Sequence, residues 1–195
     1  MLMMIVGLVL FLGAHSVPIV PGLKDALLAR VGPRVYRIAF SIASIVGVVA
    51  IVRGYVLWKY VEGAPWLYVP PIGLRHLTLA LMAISFVLFA ASHGKSHIRK
   101  WAKHPMLAGV KLWAFAHLLA NGNLASVVLF GAFLAWAVLG RISAKRRERA
   151  GLLVPPDFTP TVRSDVIAVV AGLILYVLFV WKLHLWLIGV SPVAM

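Results

Sequence analysis

The stretch KHPMLAGVKLWAFAHLLANGNLAS, residues 103–126, decides the fold because one apolar helix, a polar turn and the start of a second apolar helix follow one another in it. Residues 106–120 are apolar enough for a helix in lipid. The turn at 121–123 contains Asn-Gly, which ends the first helix. Three ionisable side chains lie in or beside this helix: His104, Lys111 and His117. The pattern therefore predicts a membrane helix that carries groups able to bind a proton or a metal.

The composition favours lipid over water as the surrounding solvent. The chain has 195 residues, of which 63% are hydrophobic and 12% are charged. A soluble domain of this size is closer to one quarter charged. Cysteine is absent, which excludes structural disulfides and thiolate metal sites. The first apolar run lacks the basic start of a signal peptide, so we expect it to be retained as the first helix.

Six apolar runs are long enough, or nearly so, to cross about 30 Å of hydrocarbon. They are residues 1–16, 36–58, 73–92, 106–120, 124–139 and 166–188. The first, fourth and fifth are short, which predicts tilting, local thinning or burial inside the bundle. The expected fold class is an all-α, polytopic integral membrane helix bundle of about six transmembrane helices. We expect one transmembrane domain over residues 1–195.

The net charge of +14 comes from 19 Lys and Arg against 5 Asp and Glu. These basic residues concentrate in the loops at 17–35, 93–105 and 140–165, whereas the intervening loops are poor in them. Lys and Arg hold short loops on the cytoplasmic side. The alternation predicts a multi-pass inner-membrane protein with both termini on the non-cytoplasmic side. The same alternation places the positive charges at the bilayer surface. We therefore expect no nucleic-acid partner.

Ionisable residues in a spanning helix are costly, so by default they face the bundle interior or mark a site. Arg53 and Arg75 lie near outer helix ends, from which their side chains can reach the headgroups. Lys111 lies about two turns above His104 on the same face and can reach the cytoplasmic interface. No Asp or Glu lies within a predicted span, which disfavours a carboxylate proton relay or a Na⁺-coupled transporter.

His117 is the ionisable residue expected to lie deepest. It lies about 18 Å above Pro105 by helical rise, near the middle of the bilayer. Ala114 and Ala120, three residues before and after it, leave room for a flat group or for another helix. The structural alternative is a hydrogen bond between helices.

His15 is the natural counterpart of His117, because the first and fourth helices run in opposite directions. Counting helical rise puts the two imidazoles within about 10 Å of each other in depth. Haem iron accepts two imidazoles from opposite sides, and the apolar macrocycle suits a helical bundle. By contrast, we interpret His93, His97 and His104 as solvated residues of a basic loop, since no carboxylate accompanies them in the sequence.

Four segments resemble the NnrU family of bacterial membrane proteins and together cover almost the full chain. They are FLGAHS at 11–16, RVYRIAFSIASIVGVVAIVRGY at 34–55, HPMLAGVKLWAFAHLLANGNLAS at 104–126 and HLWLIGVSP at 184–192. That family is in turn similar to 15-cis-zeta-carotene isomerase, a membrane protein that carries haem b. The isomerase has a cysteine where this chain has Ala114, so a thiol-dependent change of ligand is absent here. Asn123 stands where many NnrU members have Asp.

The resemblance implies a haem b with His15 and His117 as metal ligands, and with Ala114 and Ala120 beside it. His104 and His184 are second-rank site residues, and His184 is able to replace one ligand. Propionates would be received by basic side chains: Arg53 and Arg75 on the outer side, and Lys111 on the inner side.

The implied role is either isomerisation of an apolar polyene such as zeta-carotene, or a redox or nitric-oxide-linked role associated with nitrite and nitric oxide reduction. One alternative is a non-catalytic accessory or regulatory protein for those reductases. Another is a membrane methyltransferase of the isoprenylcysteine type. Glu148, the lone acid of the RISAKRRERAG segment, offers little of the cofactor segment which that enzyme needs.

Overall fold

Apolar helices make up the fold, which is seen in a computed structural model that describes residues 1–154 and 156–193. The α-helices of this described part are α1 Leu2–Ser16, α2 Leu23–Val56, α3 Gly73–Ala91, α4 His97–Ala102, α5 Pro105–Ala120, α6 Leu124–Arg149, α7 Val162–Leu178 and α8 His184–Ile188. Two π-helical turns, Leu57–Val61 and Phe179–Leu183, continue α2 and α7. The all-α fold class is therefore confirmed. The expected domain runs to residue 195. Its last two residues lie outside the described part.

Five helical runs are long and apolar enough to cross a membrane. They are Leu2–Ile19, Leu23–Val61, Gly73–Ala91, Leu124–Arg149 and Val162–Ile188. The remaining predicted span, the fourth along the sequence, is α5, which has only 16 residues. At 1.5 Å per residue it covers about 24 Å, less than the thickness of the hydrocarbon core. It packs against α3 on one side and α6 on the other, as expected for a short span enclosed by its neighbours.

Local sequence sets the ends of these helices. Pro105 occupies the first turn of α5, where its missing N–H is not needed. The Asn123 side chain accepts a hydrogen bond of 2.9 Å from the backbone N–H of Ser126 and so caps α6. Near the start of α2, Gly32 has φ 77° and ψ 161°, and Pro33 follows it. The helix therefore bends at Gly32 and continues into the second span.

Close helix contacts use small residues, because apolar association alone gives little free energy in lipid. A Cβ at Gly54 of α2 would lie 2.3 Å from the backbone nitrogen of Met4 in α1. A Cβ at Gly172 of α7 would lie 2.6 Å from the Cα of Val87 in α3. Glycine is thus required for the approach of both helix pairs.

Buried hydroxyls supplement this packing. Thr78 Oγ1 donates to the carbonyl oxygen of Ala116 at 2.9 Å, and Ser85 Oγ donates to that of Gly109 at 2.9 Å. Both bonds join α3 to α5.

The two ends of the bundle differ in charge. At the end that we name the Met1 end, the amino group of Met1 pairs with Glu62 at 2.7 Å, and Trp66 forms a β-bridge with Asn123. At the opposite end, Ser143 Oγ donates to the carbonyl oxygen of Ile19 at 2.6 Å. The three basic loops lie at this second end, which we name the basic end. The alternation of charge along the sequence therefore becomes a separation of charge along the bundle.

Candidate functional site

A cavity of about 330 Å³ lies between the helices, toward the Met1 end. Ligand pockets begin at about this size. Its walls come from α2, α3, α5, α6 and the α7–α8 segment. The lining is mostly aliphatic and aromatic and includes Val48, Ile51, Leu79, Met82, Phe86, Leu129, Phe130, Phe133 and Phe179. Such a lining suits a ligand with an apolar body.

Two imidazoles line this cavity from different helices. His117 lies in the last turn of α5, and His184 begins α8. Their ring centroids are 6.5 Å apart and their planes differ by 14°. The ring of Phe130 stacks on His117 at 4.5 Å and fixes the plane of that imidazole. His184, a second-rank residue in the sequence analysis, is therefore the partner that the fold gives to His117.

Both imidazoles have the tautomer that metal binding needs. Nδ1 of His117 donates to the carbonyl oxygen of Trp113 at 2.8 Å, and Nδ1 of His184 donates to that of Val190 at 2.6 Å. A carbonyl oxygen only accepts, so each proton is on Nδ1 and the lone pair of the neutral ring is on Nε2. Metal-bound histidines commonly donate their second ring N–H in this way, which fixes the orientation of the ring.

The spacing of the two rings fits one metal between them. With a metal–nitrogen bond of about 2 Å, the centroid of a ligating imidazole lies about 3 Å from the metal, and two axial rings lie about 6 Å apart. The observed separation is 6.5 Å. Among the described residues, no group of three or more His, Cys, Asp or Glu is placed to hold a metal ion. The donor set that the described residues offer is thus a pair of imidazoles.

A polar network closes the Met1 end of the cavity. Lys59 Nζ donates to Tyr55 Oη and to Asn121 Oδ1, each at 3.0 Å. Asn121 Nδ2 in turn donates to the carbonyl oxygen of His117 at 3.0 Å. The hydroxyls of Tyr55 and Ser126 lie 2.9 Å apart and continue the network into α6. Among the described residues that line the cavity, Lys59 is the one Lys, Arg, Asp or Glu.

Both π-helical turns border this cavity. The turn Leu57–Val61 supplies Lys59 and Tyr60, and the turn Phe179–Leu183 supplies Phe179 and Val180 just before His184. A π turn inserts one extra residue into a helix and is frequent at functional sites. Here both turns present their side chains to the same cavity, which supports its assignment as the functional site.

His15 lies elsewhere in the bundle. Phe11, Phe133 and Trp113 form one aromatic layer, with centroid distances of 5.7 Å and 5.2 Å. His15 is one turn beyond Phe11 toward the basic end, and His117 is one turn beyond Trp113 toward the Met1 end. The His15 ring lies 4.1 Å from that of Phe11, and the His117 ring lies 5.1 Å from that of Trp113. The two imidazoles therefore lie on opposite sides of this aromatic layer, and metal binding by His15 stays a prediction.

His15 has surroundings of its own. Its Nδ1 donates to the carbonyl oxygen of Phe11 at 2.8 Å, and its ring stacks on Phe11 at 4.1 Å. Phe40 and Trp136 complete its aromatic environment, with centroids 4.8 Å and 6.2 Å away. His15 does not line the cavity that holds His117 and His184.

The remaining predicted site residues are dispersed. Ala114 is fully buried in the core cluster, so it does not provide open space beside His117. Ala120 and Arg75 line a second, more polar cavity of about 350 Å³, next to the first. Arg53 is exposed in the last turn of α2, and Lys111 is half-buried on α5. None of these five lines the cavity of His117 and His184.

Two of the three histidines at the basic end have a carboxylate partner that the sequence did not indicate. His104 Nε2 is 2.5 Å from Glu148 Oε1, and His97 Nδ1 is 2.6 Å from Asp165 Oδ2. Both carboxylates come from a distant part of the chain, whereas His93 and His97 are exposed, in line with their interpretation as solvated residues. His104 is part of a link between α5 and α6, away from the cavity.

The predicted hairpin between α5 and α6 is present, and the loop before α3 covers it. A Cβ at Gly122 would lie 1.8 Å from the carbonyl oxygen of Tyr68, so only glycine fits there. The Tyr68 hydroxyl donates to the carbonyl oxygens of Leu118 and Asn121. Burial raises the pKa of the Tyr68 phenol, which therefore stays a donor at neutral pH.

Sequence reasoning did not identify Lys59 as a site residue. In the sequence it stands beside Glu62 in a loop poor in charge, so the two charges offset each other. In the structure Glu62 binds the amino group of Met1 instead. The spacing of Tyr55 and Lys59 by four residues was the available signal, because that spacing puts both on one helix face.

These features define a polytopic membrane helix bundle with a candidate cofactor cavity built on two histidines. The family model described as NnrU protein matches residues 3–192, nearly the whole chain. The chain therefore belongs to the NnrU family. No curated protein and no solved structure matches it.

Proposed function

We propose that this NnrU-family protein binds haem b in the cavity, where His117 and His184 would hold its iron. The observation that carries the proposal is the pair of nearly parallel imidazoles with centroids 6.5 Å apart. His184 takes the place that the resemblance gave to His15. When bound, haem b supplies a one-electron couple and an iron that can exchange a ligand.

The surrounding residues have defined tasks in this proposal. The carbonyl oxygens of Trp113 and Val190 hold both imidazoles with Nε2 free for the metal. Phe130 fixes the plane of His117 by stacking. The apolar walls exclude water, which strengthens electrostatic interactions within the site and influences the reduction potential.

We assign the site a redox or nitric-oxide-linked role, associated with nitrite and nitric oxide reduction. Nitric oxide is small and nearly apolar, so it partitions into hydrocarbon and into a cavity with walls of this kind. A cavity of about 330 Å³ leaves little space for a large substrate once a cofactor is present.

Isomerisation of a polyene such as zeta-carotene is the second candidate. It is favoured by the side of the cavity between α2 and α7. Among the residues that the structure describes, α2 packs mainly on α1 and makes few direct contacts with α3 or α7. Yet all three helices line the cavity. The side between α2 and α7 therefore faces lipid, from which a long apolar chain can approach. Conversion of the 15-cis isomer in membranes that contain the protein tests this candidate.

The separation of charge along the bundle supports an orientation in the bacterial inner membrane. We infer that the basic end faces the cytoplasm and that Met1 faces the other side. The chain has no cysteine, so single introduced thiols report their own side. In intact cells, an impermeant thiol reagent should label Trp66→Cys and spare Lys145→Cys. The reverse labelling would refute this orientation.

The absorption spectrum of the purified protein tests haem binding. We expect a Soret band, which His117→Ala and His184→Ala should each shift or abolish. His15→Ala is the matched control and should leave the spectrum unchanged. Loss of the band in His15→Ala, with His184→Ala unaffected, would instead support the ligand pair implied by the resemblance. A colourless protein after expression with added haem would refute haem binding and favour an accessory role.

Electron paramagnetic resonance gives a sharper test of the ligand geometry. The planes of His117 and His184 differ by 14°. Two imidazoles in nearly parallel planes donate π electron density into the same iron d orbital. This separates the energy of that orbital from the energy of the d orbital at right angles to it. The oxidised protein should therefore give a rhombic low-spin signal. The strongly anisotropic signal of perpendicular ligands would contradict this pair.

A further inference from the structure

Lys59 holds a positive charge within the polar network that closes the Met1 end of the cavity. Its ammonium group has three donor positions. Two of them are used by the neutral acceptors Tyr55 Oη and Asn121 Oδ1, each at 3.0 Å. The third N–H has no assigned acceptor among the described residues. The ammonium also lies 5.1 Å from the centroid of the Tyr60 ring, which attracts the cation but cannot neutralise it.

No described carboxylate forms an ion pair with Lys59. Glu62, three residues further along, binds the amino group of Met1 at 2.7 Å. A half-buried cation is retained in a membrane protein when it is paired or when it serves a ligand. The network around Lys59 supplies hydrogen bonds but no opposite charge, so a ligand is the remaining source of one.

We infer that Lys59 binds the carboxylate of a ligand whose apolar body fills the rest of the cavity. The free N–H of Lys59 can donate to one oxygen of a carboxylate, and the described lining of the cavity contains no Arg, whose planar fork suits phosphate best. The π turn Leu57–Val61 places Lys59 within the cavity wall, and Asn121 links it to the backbone of His117. The carboxylate subsite is therefore adjacent to the two imidazoles.

Two sources of the carboxylate share this chemistry. One is a propionate of haem b, and this case rests on the proposed function. The other is the acid group of a free fatty acid or a similar lipid that enters from the bilayer. In the first case Lys59 would bind the propionate, which the resemblance had suggested for Arg53, Arg75 and Lys111.

Binding of matched acids and esters tests the inference. The full chain, expressed under haem limitation and reconstituted in lipid nanodiscs, is titrated with iron protoporphyrin IX and with its dimethyl ester. In a second series it is titrated with the fluorescent fatty acid cis-parinaric acid and with its methyl ester. In at least one series the wild type should bind the acid about tenfold more tightly than the ester, the factor for one charge-assisted hydrogen bond.

Substitutions assign this preference to Lys59. Lys59→Met should abolish the preference for the acid, and Lys59→Arg should retain most of it. Lys182→Met is the matched control, because Lys182 is an exposed residue of the other π turn and does not line the cavity. It should bind as the wild type does. The thermal midpoint of each variant, measured without ligand, shows that the bundle is intact.

Each outcome distinguishes the inference from the proposed function. A preference for the acid in the porphyrin series alone identifies a haem propionate, and a preference in the fatty-acid series alone identifies a lipid acid. The second result, together with the absence of a Soret band, supports the role of Lys59 while the haem proposal fails. Equal binding of acid and ester in both series, or a preference that persists in Lys59→Met, overturns the inference.

Discussion

Replacing Gly54 by alanine should force α1 away from α2. The added Cβ would lie 2.3 Å from the nitrogen and 2.7 Å from the Cα of Met4, whereas ordinary contacts are 3.4–4 Å. Both atoms of Met4 are backbone, so no side chain can move aside, and α1 must retreat by about 1 Å. A gap of this size forfeits a quarter to a half of the dispersion energy of the contacts that it opens. Overpacking of this kind destabilises by about 1–3 kcal/mol.

Gly13 is the matched control, because it lies in α1 and a Cβ there meets nothing within 4 Å. Gly13→Ala should stabilise by about 0.5–1 kcal/mol through its better helix propensity. The free energies of unfolding of the two variants should therefore differ by about 1.5–4 kcal/mol, which equilibrium unfolding of the detergent-solubilised protein can measure. If Gly54→Ala is as stable as Gly13→Ala, the close packing of α1 on α2 is wrong.

Three further substitutions test other contacts. Thr78→Val keeps the shape of the side chain but removes the donor to Ala116, and should lower the free energy of unfolding by about 1 kcal/mol, measured in the same assay. Glu148→Gln removes the carboxylate that bonds to His104 and lies 3.9 Å from Arg141, and should destabilise by about 1 kcal/mol, and by less in high salt. Equal effects at both salt concentrations would contradict a charge interaction of Glu148. Gly122→Ala should displace the loop before α3, so limited proteolysis should cut that loop faster than in the wild type. An unchanged rate of cleavage would refute the contact between Gly122 and Tyr68.

Much of the architecture follows from the sequence for simple physical reasons. The apolar runs predict the spans, since lipid requires each crossing to satisfy its own backbone hydrogen bonds. Pro105 and Asn123 predict the starts of α5 and α6, because a proline at the first turn and an asparagine cap are local signals. The family resemblance is confirmed over residues 3–192.

The site was harder to predict because depth depends on where each helix ends. Helical rise measured from Pro105 put His117 near the middle of a slab of full thickness, but α5 has only 16 residues. His117 is therefore one turn from the end of the helix, beside His184 and on the other side of the aromatic layer from His15. Likewise, α6 extends ten residues beyond the predicted end at 139, and this extension brings Glu148 to His104. The π turns have no local sequence signal comparable to a cap.

The side of the cavity between α2 and α7, which we infer to face lipid, determines how the affinity of a ligand should be expressed. A ligand that reaches the cavity from the bilayer is present there at its concentration in lipid, which for an apolar molecule exceeds the aqueous concentration by its partition coefficient. A site of modest intrinsic affinity can then be filled at a very low total concentration. Dilution with empty vesicles would empty it, even when the ligand-to-protein ratio stays fixed. Occupancy of this protein is therefore better described by the mole fraction of ligand in the membrane than by molarity in water.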